Sequence, residues 1–265
     1  MSIKISIVTI SYNEAKNIAR TIESVLGQMY KNIEYVVMDG GSSDGTAEIA
    51  TRYELRATNE GKKFHFESER DGGIYFGMNK GLAKCTGDYV LFCNAGDRLA
   101  AADVIEKVAA AAERDQLPDM VFGDCVDVLD GKELVRVAHG PQFLPFGMPA
   151  SHEAMFYKLS KVRELGLKYD TSYRIAADYK FTYEFIKAAK TFTRVKLPIV
   201  VFAEGGVSTA NKWQGLAEAC RVRREVSGLS ICRRAYIRAA QTAALLLATY
   251  AKPIYRAIRL RKNRG

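Results

Sequence analysis

The sequence predicts an α/β protein with a mostly parallel central sheet flanked by helices. Apolar, β-branched runs such as residues 3–10 and 89–93 alternate with helical patterns through the first 119 residues, which is typical of parallel βαβ units. Several of these runs stop at short turns rich in glycine, aspartate and asparagine. With 265 residues and 48% hydrophobic content, the chain is long enough for one large domain with an appendage.

The first 119 residues contain the alternating strand and helix patterns. The apolar stripe of Ile18, Ile22 and Val25 predicts the first helix, and Asn13 is its expected N-cap. The predicted strands cover residues 3–10, 33–38, 64–67 and 88–93, and two further helices cover about 46–53 and 74–84. Because helices separate the strands, the carboxyl ends of the strands are expected to meet at one edge of the sheet.

After Met120 the pattern changes. A hairpin is predicted to turn at Asp130–Gly131, and the three prolines and two glycines of residues 140–151 predict a loop. A strand near 153–158, a helix from Ser160, a helix over about 177–190 and a strand from Lys196 follow. We therefore predict a first half over 1–119, a second half of the same domain over 120–210 and a helical extension over 211–265.

Composition argues against several classes of protein. Five cysteines without CxxC spacing predict buried thiols in a reducing cytosol, not a disulfide framework or a zinc site. The N-terminus enters a strand pattern directly, so we expect no secretory signal peptide. The net charge of +9 is concentrated in residues 221–265, which hold twelve Lys or Arg and one acid. The basic character therefore belongs to the C-terminal segment, and the remainder is slightly acidic.

This basic segment, residues 231–264, is predicted to form a partly amphipathic helix. Its apolar run AALLLA is too short to span a bilayer, which takes roughly 20 apolar residues. Basic amphipathic helices are typical of attachment to an anionic membrane surface. The alternative is a helix docked on the protein body. Nucleic-acid binding is not favoured, because no nucleic-acid-reading motif accompanies the charge.

Two aspartates lie in the turns that follow predicted strands. Asp39 begins a glycine-rich turn after the second strand, and Asp97 ends the turn Asn94-Ala95-Gly96-Asp97 after the strand at 88–93. Ligands of open α/β sheets bind beyond the carboxyl ends of the strands, so both carboxylates are candidates for a ligand site. Each aspartate is also an ordinary turn residue, and that structural alternative stays open for each taken alone.

Taken together, the motifs resemble the inverting family 2 glycosyltransferases of the bacterial surface-polysaccharide type, which have a nucleotide-diphospho-sugar transferase (GT-A-type) fold. The stretches that carry the resemblance are, in order, IVTISYNE, DGGSSDGT, ERDGGIYFGMNKG, YVLFCNAGD, FGD, SHEAMFYK, AADYKF and EGGVS. They cover roughly residues 3–210, and their order and spacing are more specific than any one motif.

The resemblance implies roles for individual residues. Asp39 would bind the base of the nucleotide, Asp97 would bind a divalent metal, and Asp178 would be the catalytic base. The other residues implied on the donor side are Thr9, Tyr12, Glu14, Arg70, Asp71, Asn79 and Lys80. Candidates on the acceptor side are Asp124, His152 and Ser208. Structural alternatives stay open: Asp178 as a helix cap, His152 as a buried structural histidine and Asp124 as a hairpin residue.

The resemblance implies a metal-dependent inverting transferase that moves a sugar from a nucleotide-diphosphate donor, expected to be a UDP-sugar. The implied acceptor is a saccharide or lipid-linked oligosaccharide in cell-surface polysaccharide synthesis, at the cytoplasmic face of the inner membrane. The turn at 94–97 has one acid where many family members have two or three. One carboxylate is compatible with Mg²⁺ or Mn²⁺, because phosphate oxygens and water complete the coordination of such ions.

Two other functions remain open from the sequence. A sugar-nucleotide pyrophosphorylase has a related fold, but its glycine-rich basic motif near the N-terminus is absent here. A non-catalytic nucleotide-sugar-binding or membrane-scaffold subunit would retain the fold and would have lost activity together with the missing acids. Nucleotide release that depends on Asp97 and Asp178 distinguishes an enzyme from such a subunit.

Overall fold

A mixed β-sheet forms the centre of the computed structural model, which describes residues 2–129, 131–202 and 211–250. The strands are β1 (Ile5–Ser11), β2 (Ile33–Asp39), β3 (Lys63–Ser68), β4 (Tyr89–Phe92), β5 (Arg98–Leu99), β6 (Met120–Leu129), β7 (Lys132–Arg136), β8 (Met155–Lys158) and β9 (Phe192–Phe202). The helices are α1 (Ile18–Leu26), α2 (Thr46–Asn59), α3 (Ile74–Lys84), α4 (Val104–Arg114), α5 (Leu159–Glu164), α6 (Ala177–Ala188), α7 (Lys212–Val226) and α8 (Ile231–Tyr250). Short 3-10 turns lie at Pro141–Phe143 and His152–Ala154.

The sheet has the spatial order β3-β2-β1-β4-β8-β6-β9-β5, and β7 pairs with β6. The four strands β3, β2, β1 and β4 run parallel, whereas β8 is antiparallel to both β4 and β6. The predicted α/β class with a mostly parallel sheet is confirmed, and the second half adds the antiparallel pairs. In register, Ser11 lies opposite Asp39, and Asp39 lies opposite Ser68. Three strands therefore end at the same level, where a site can form.

The apolar core lies on both faces of the sheet. Strand β1 divides its side chains by alternation, with Val8 and Ile10 in one buried cluster and Ile5 and Ile7 in the other. A β-carbon built on Gly81 of α3 would lie 2.5 Å from Val8 Cγ1, so this helix packs directly on β1. The close approach fixes the loop before α3 above the carboxyl ends of the strands.

The C-terminal helices α7 and α8 pack beside the second half of the chain. Val222 and Arg223 of α7 are buried, as is Ile237 of α8. Much of the rest of α8 is exposed, including Tyr236 and Tyr250. None of the helices within 2–129, 131–202 and 211–250 combines the length and apolar character needed to cross a membrane. The tail residues 251–264 of the predicted membrane-binding segment lie outside the described residues.

Two local predictions are wrong. Asn13 does not cap α1, because it has a left-handed backbone (φ 54°) and the helix begins only at Ile18. Its backbone N–H donates to Ser42 Oγ instead, at 2.8 Å, so Asn13 joins two loops. The cysteines are also not uniformly buried: Cys85, Cys93 and Cys125 are buried, but Cys232 is exposed.

Candidate active site

A buried carboxylate, that of Asp39, joins the ends of β1, β2 and β3. Its Oδ1 accepts hydrogen bonds from Ser11 Oγ at 3.0 Å and Ser42 Oγ at 2.5 Å. Its Oδ2 accepts from the backbone of Gly41 at 3.2 Å, the backbone of Ser42 at 2.9 Å and Ser68 Oγ at 2.7 Å. Burial by itself would raise the pKa of Asp39, but these hydrogen bonds outweigh it and hold the pKa below its usual value. Asp39 is therefore an ionised carboxylate that organises the loop after β2.

The loop after β2 is also bonded to the loop after β1. Ser43 donates its backbone N–H to Asn13 Oδ1 at 3.0 Å, and Glu14 donates its backbone N–H to Thr46 Oγ1 at 2.8 Å. Gly41 has φ 79°, and a β-carbon there would lie 3.0 Å from the backbone of Arg70. The two loops and the segment after β3 thus form one packed platform, which we call the strand-end platform (residues 11–14, 39–46 and 68–71).

On this platform, Tyr12 and Asp71 lie close to one another. A β-carbon built on Gly40 would lie 3.4 Å from both the Tyr12 ring and the Asp71 carboxylate. Tyr12 is 65% exposed, so its ring is available to a ligand. Asp71 Oδ1 accepts from the backbone of Gly73 at 2.8 Å, just before α3. Together with Arg70, which is exposed, they are the predicted donor-side residues that the structure brings to one open surface.

Thr9 and Asn79 use their side chains inside the fold. Thr9 is fully buried and donates to the Cys93 carbonyl at 2.6 Å, with the Tyr35 hydroxyl at 2.9 Å. Asn79 donates to the Tyr169 carbonyl at 2.9 Å and accepts from the Tyr169 backbone N–H at 2.8 Å. Thr9 therefore joins β1 to the end of β4, and Asn79 joins α3 to the second half. Both side chains are therefore used for contacts within the fold.

Two other donor-side candidates have local partners at the surface. Lys80 forms an ion pair with Glu69 at 2.5 Å. Glu14 accepts from Asn17 Nδ2 at 2.8 Å, beside the start of α1. Exposed ion pairs are weak, so a phosphate can compete with Glu69 for the Lys80 ammonium.

The turn that ends in Asp97 is held by α1 and by a buried glutamate that the sequence reasoning missed. Thr21 Oγ1 donates to the Asp97 carbonyl at 2.6 Å. Asn94 Nδ2 donates to Glu153 Oε1 at 2.6 Å, 59 residues further along the chain. Burial raises the pKa of Glu153 well above its usual value, and the charge of Asp97 raises it further. Glu153 Oε2 and Asn94 Oδ1 are buried and have no hydrogen-bond partner within the described chain.

A metal ion would have to rely on few protein ligands here. Among the described residues there is no group of three or more His, Cys, Asp or Glu side chains that could hold a metal. The buried Asn94 Oδ1, which lacks a partner in the same part of the chain, and the Asp97 carboxylate are hard oxygen donors. Such donors fit Mg²⁺ or Mn²⁺ when substrate phosphates and water supply the remaining ligands.

Two of the acceptor-side candidates are engaged in the interior, and the third, Ser208, lies outside the described residues. His152 is 8% exposed, and its Nε2 lies 3.1 Å from the Tyr169 hydroxyl. Burial lowers the pKa of His152 to about 3, so the ring is neutral. Asp124 accepts from the Ala138 backbone at 2.9 Å and pairs with Arg194 at 3.1 Å. These contacts favour the structural alternative for both residues.

Asp178 lies in the first turn of α6, where its surroundings raise the pKa of its carboxyl group. Its Oδ1 accepts from the backbone N–H of Tyr179 at 2.7 Å. Burial raises the pKa of Asp178 to about 6, with a smaller contribution from the charge of Glu218, and the hydrogen bond from Tyr179 opposes the rise. The Tyr75 hydroxyl donates its proton to the Ile175 carbonyl at 2.5 Å, which joins α3 to the segment before α6. A carboxyl with this pKa is mostly ionised at neutral pH and can still accept a proton.

The comparisons with known proteins agree with this geometry. The model of the family described as Glycosyl transferase family 2 matches residues 6–172. This chain is a family 2 glycosyltransferase. An uncharacterized glycosyltransferase of Mycobacterium tuberculosis is 33% identical over 184 residues, which are 67% of this chain and 66% of the relative. A PGL/p-HBAD biosynthesis glycosyltransferase of Mycobacterium bovis is 30% identical over 193 residues, 71% of this chain and 72% of the relative.

Solved structures share the fold of this family 2 glycosyltransferase. S. aureus TarS 1–349 in complex with UDP-GlcNAc superposes with a TM-score of 0.69 at 16% identity, over 92% of this chain and 73% of that chain. The mannosyltransferase PcManGT of Pyrobaculum calidifontis, in complex with GDP-Man and Mn²⁺, gives a TM-score of 0.66 at 19% identity, over 99% of this chain and 84% of that chain. At these identities the likeness shows the fold alone.

The Asp39 network generates a stability prediction. We expect Asp39→Asn to lower the free energy of unfolding by about 2 kcal/mol at neutral pH, because an amide cannot accept all five hydrogen bonds. The folded pKa is below the ordinary value of 3.8, so the stabilisation by the carboxylate is present above pH 3.8 and decreases as the pH falls through the folded pKa. Urea unfolding of both proteins from neutral to acidic pH measures this difference.

Ser68→Ala is the control for Asp39→Asn, because it removes only one of the donors. We expect it to cost about 1 kcal/mol. A difference between wild type and Asp39→Asn that is the same at pH 7 and at pH 3 would contradict the electrostatic explanation.

Proposed function

We propose that this family 2 glycosyltransferase transfers a sugar, with inversion, from a nucleotide-diphosphate donor to a saccharide or lipid-linked acceptor in cell-surface polysaccharide synthesis. The observation that carries the proposal is Asp178, a carboxyl with its pKa raised to about 6 that is connected through Tyr75 to the helix above the strand ends. Tyr75 lies on α3, directly after the strand-end platform, so its contact with Ile175 supports a base close to that side of the sheet.

Asp178 acts as the general base in this proposal. The acceptor hydroxyl attacks the anomeric carbon of the donor from the side opposite the leaving nucleoside diphosphate, and its proton passes to the carboxylate of Asp178. One base and no covalent enzyme intermediate give inversion at that carbon. The burial that raises its pKa strengthens Asp178 as a proton acceptor relative to an exposed aspartate.

The strand-end platform is the proposed donor site, and a UDP-sugar is the proposed donor. The exposed Tyr12 ring offers a face for stacking of a base. Arg70 is an exposed cation of the platform, and the half-buried Lys80 pairs with Glu69 of the platform. Both cations complement the charge of a diphosphate. The structures in complex with UDP, UDP-GlcNAc and GDP-Man share the fold and support a nucleotide-sugar donor.

Asp97, with Asn94, is the proposed protein ligand set for Mg²⁺ or Mn²⁺. When bound, such a cation offsets the negative charge that develops on the departing diphosphate. The Thr21 hydroxyl holds the backbone of this turn through Gly96 and Asp97. The Mn²⁺ complex of the mannosyltransferase, which has the same fold, supports a divalent ion in this architecture.

The exposed face of α8 is the proposed contact with an anionic membrane surface, on the cytoplasmic side. Exposed apolar side chains of α8 include Ile231, Tyr236 and Tyr250, and Arg233 and Arg238 are exposed on the same helix. Each cation near an anionic surface contributes roughly 1 kcal/mol to attachment. A lipid-linked acceptor would then be held close to Asp178.

A first experiment tests the reaction itself. UDP release from a panel of UDP-sugars is measured with a saccharide or lipid-linked acceptor, with Mn²⁺ or Mg²⁺ and with EDTA. We expect wild-type turnover to depend on the metal, and we expect Asp178→Asn and Asp97→Asn to lose about 100-fold or more. The loss reflects the missing base in one variant and the missing cation ligand in the other.

Glu184→Gln is the matched control, because Glu184 lies on the same helix as Asp178 and is half-buried. It should retain turnover within about twofold. If Asp178→Asn retained wild-type turnover, Asp178 would not be the base. If the wild-type protein bound UDP but showed no turnover in any condition, the result would favour a non-catalytic subunit.

The raised pKa of Asp178 predicts the pH dependence. Because the base must be ionised, kcat/KM is expected to fall on the acid side of about pH 6 and to level off above it. An exposed aspartate would give an acid limb near the ordinary value of 3.8 instead. UDP release between pH 4.5 and 8, with folding checked by circular dichroism at each pH, distinguishes these outcomes.

Vesicle flotation tests the membrane surface. The full chain with Arg233→Glu and Arg238→Glu should float less with vesicles that contain phosphatidylserine, and no form should float with phosphatidylcholine alone. A chain with Lys31→Glu and Arg52→Glu has the same net charge at exposed positions far from α8, and should float like wild type. Equal flotation of the two double variants would overturn the proposed role of α8.

A further inference from the structure

We propose that Glu218, on the C-terminal helix α7, is a positioning residue for Asp178. The inference rests on the proposed function, in which Asp178 is the base, and adds a residue that acts through the backbone before α6. Glu218 lies 40 residues beyond Asp178, in the helical extension that the sequence predicts over 211–265.

The contacts of Glu218 are with three consecutive backbone amides. Its Oε1 accepts from Arg174 N at 3.2 Å, and its Oε2 accepts from Ile175 N at 2.8 Å and Ala176 N at 2.9 Å. Burial by itself would raise the pKa of Glu218, but these amides, together with Gln214, outweigh it and lower the pKa. Glu218 is therefore an ionised carboxylate bound to the segment directly before α6.

This carboxylate bonds the segment that leads into α6. Alanine occupies the N-cap position, Ala176, and supplies no side-chain acceptor. Within the first turn, Asp178 Oδ1 accepts from the Tyr179 backbone N–H. Glu218 supplies acceptors from another helix to the amides at and just before the N-cap, and a negative charge there also matches the helix dipole. Asp178 lies two residues after this capped position.

The segment is held from its other side as well. Tyr75 of α3 donates to the Ile175 carbonyl at 2.5 Å, while the Ile175 N–H donates to Glu218. The carbonyl of Ile175 is thus bonded to α3, and its N–H is bonded to α7. The result is that α3, at the strand-end platform, and α7, in the extension, together determine where the first turn of α6 lies.

Further along, α7 is bonded to α6 by a second carboxylate. Glu225 accepts from the Tyr173 hydroxyl at 2.8 Å and from Lys180 Nζ at 3.1 Å. Lys180 also pairs with Asp170 at 2.7 Å. Glu225 makes none of the amide contacts of Glu218, so it attaches α7 without holding residues 174–176.

The charged and titratable groups that interact electrostatically with Asp178 come from several elements. They are Glu218 of α7, Tyr75 of α3, Tyr157 of β8 and Tyr169 before α6. Glu218 is the only carboxylate among these four groups. Removal of its charge therefore lowers the pKa of Asp178. Exposure of Asp178 to water would lower the pKa as well, because burial is the larger cause of the raised value, so the titration is interpreted together with exchange at the amides that Glu218 accepts.

Glu218→Gln tests the proposal, with Glu225→Gln as the matched control on the same helix. Asp178 is titrated by carboxyl ¹³C NMR, with its resonance assigned from Asp178→Asn, and amide hydrogen exchange is measured at Ile175 and Ala176. In Glu218→Gln we expect a lower pKa of Asp178, amide exchange about tenfold faster and kcat/KM about tenfold lower. In Glu225→Gln we expect none of these changes beyond about twofold.

Glu218→Asp separates charge from position, because it keeps the carboxylate and shortens its reach. It should raise amide exchange at Ile175 and Ala176 while the pKa of Asp178 changes less than in Glu218→Gln. It also keeps the test decisive if Glu218→Gln does not fold. Unchanged exchange and an unchanged pKa in a folded Glu218 variant would overturn the positioning role.

Failure of the proposed function gives a different result. If Asp178→Asn stays active, Asp178 is not the base, yet the exchange and titration measurements still report whether Glu218 holds the segment. If Asp178→Asn is inactive and Glu218→Gln changes neither exchange nor titration, the base stands and the positioning role alone is overturned.

Discussion

The rest of the site depends on the burial of the Asp39 charge at the meeting point of three strands. A carboxylate removed from water is costly unless donors replace the lost hydration. Here the donors come from the ends of β1 and β3 and from the loop after β2. Satisfying one charge therefore fixes the relative positions of three chain segments, and the exposed Tyr12 and Arg70 are presented from that rigid platform.

The carboxyl groups of the site have pKa values shifted in opposite directions. Asp39 is surrounded by donors and its pKa is lowered, whereas Asp178 has few donors and its pKa is raised to about 6. Glu153 is buried beside Asp97, and its pKa is raised further from its usual range. Environments that separate the pKa values of chemically similar groups assign them different tasks. The lowered pKa of Asp39 suits a structural anion, and the raised pKa of Asp178 suits the proposed proton acceptor.

The sequence pattern predicted the strands and helices, which depend on residues close together in the chain. It did not predict contacts between side chains that are distant in sequence. Period-two and helical spacing located most of the strands and helices, and the predicted α3 matches Ile74–Lys84. The sequence does not show that Thr9 bonds to the Cys93 carbonyl, 84 residues away, or that Asn79 is used by Tyr169, 90 residues away. Both are polar residues beside a ligand-binding motif, and the side chain of such a residue can equally well bind a ligand or make a contact within the fold. Glu153 and Glu218 were missed for the same reason, because their partners are distant in sequence.

The contacts of α7 connect the C-terminal extension to the candidate active site, in addition to its proposed contact with a membrane surface. Buried Arg223 of α7 donates to Gln241 of α8 at 2.6 Å, and Gln241 donates to the Phe146 carbonyl at 2.6 Å. Arg223 also lies over the ring of Tyr179, the residue after Asp178. A buried guanidinium is costly when its donors lack acceptors, and Nη1 of Arg223 has none among the described residues. The contact of Nη2 with Gln241 is therefore costly to lose, and it resists separation of α8 from α7. Attachment of α8 to a surface would therefore orient the helix that carries the proposed base, because one connected set of side chains joins the two.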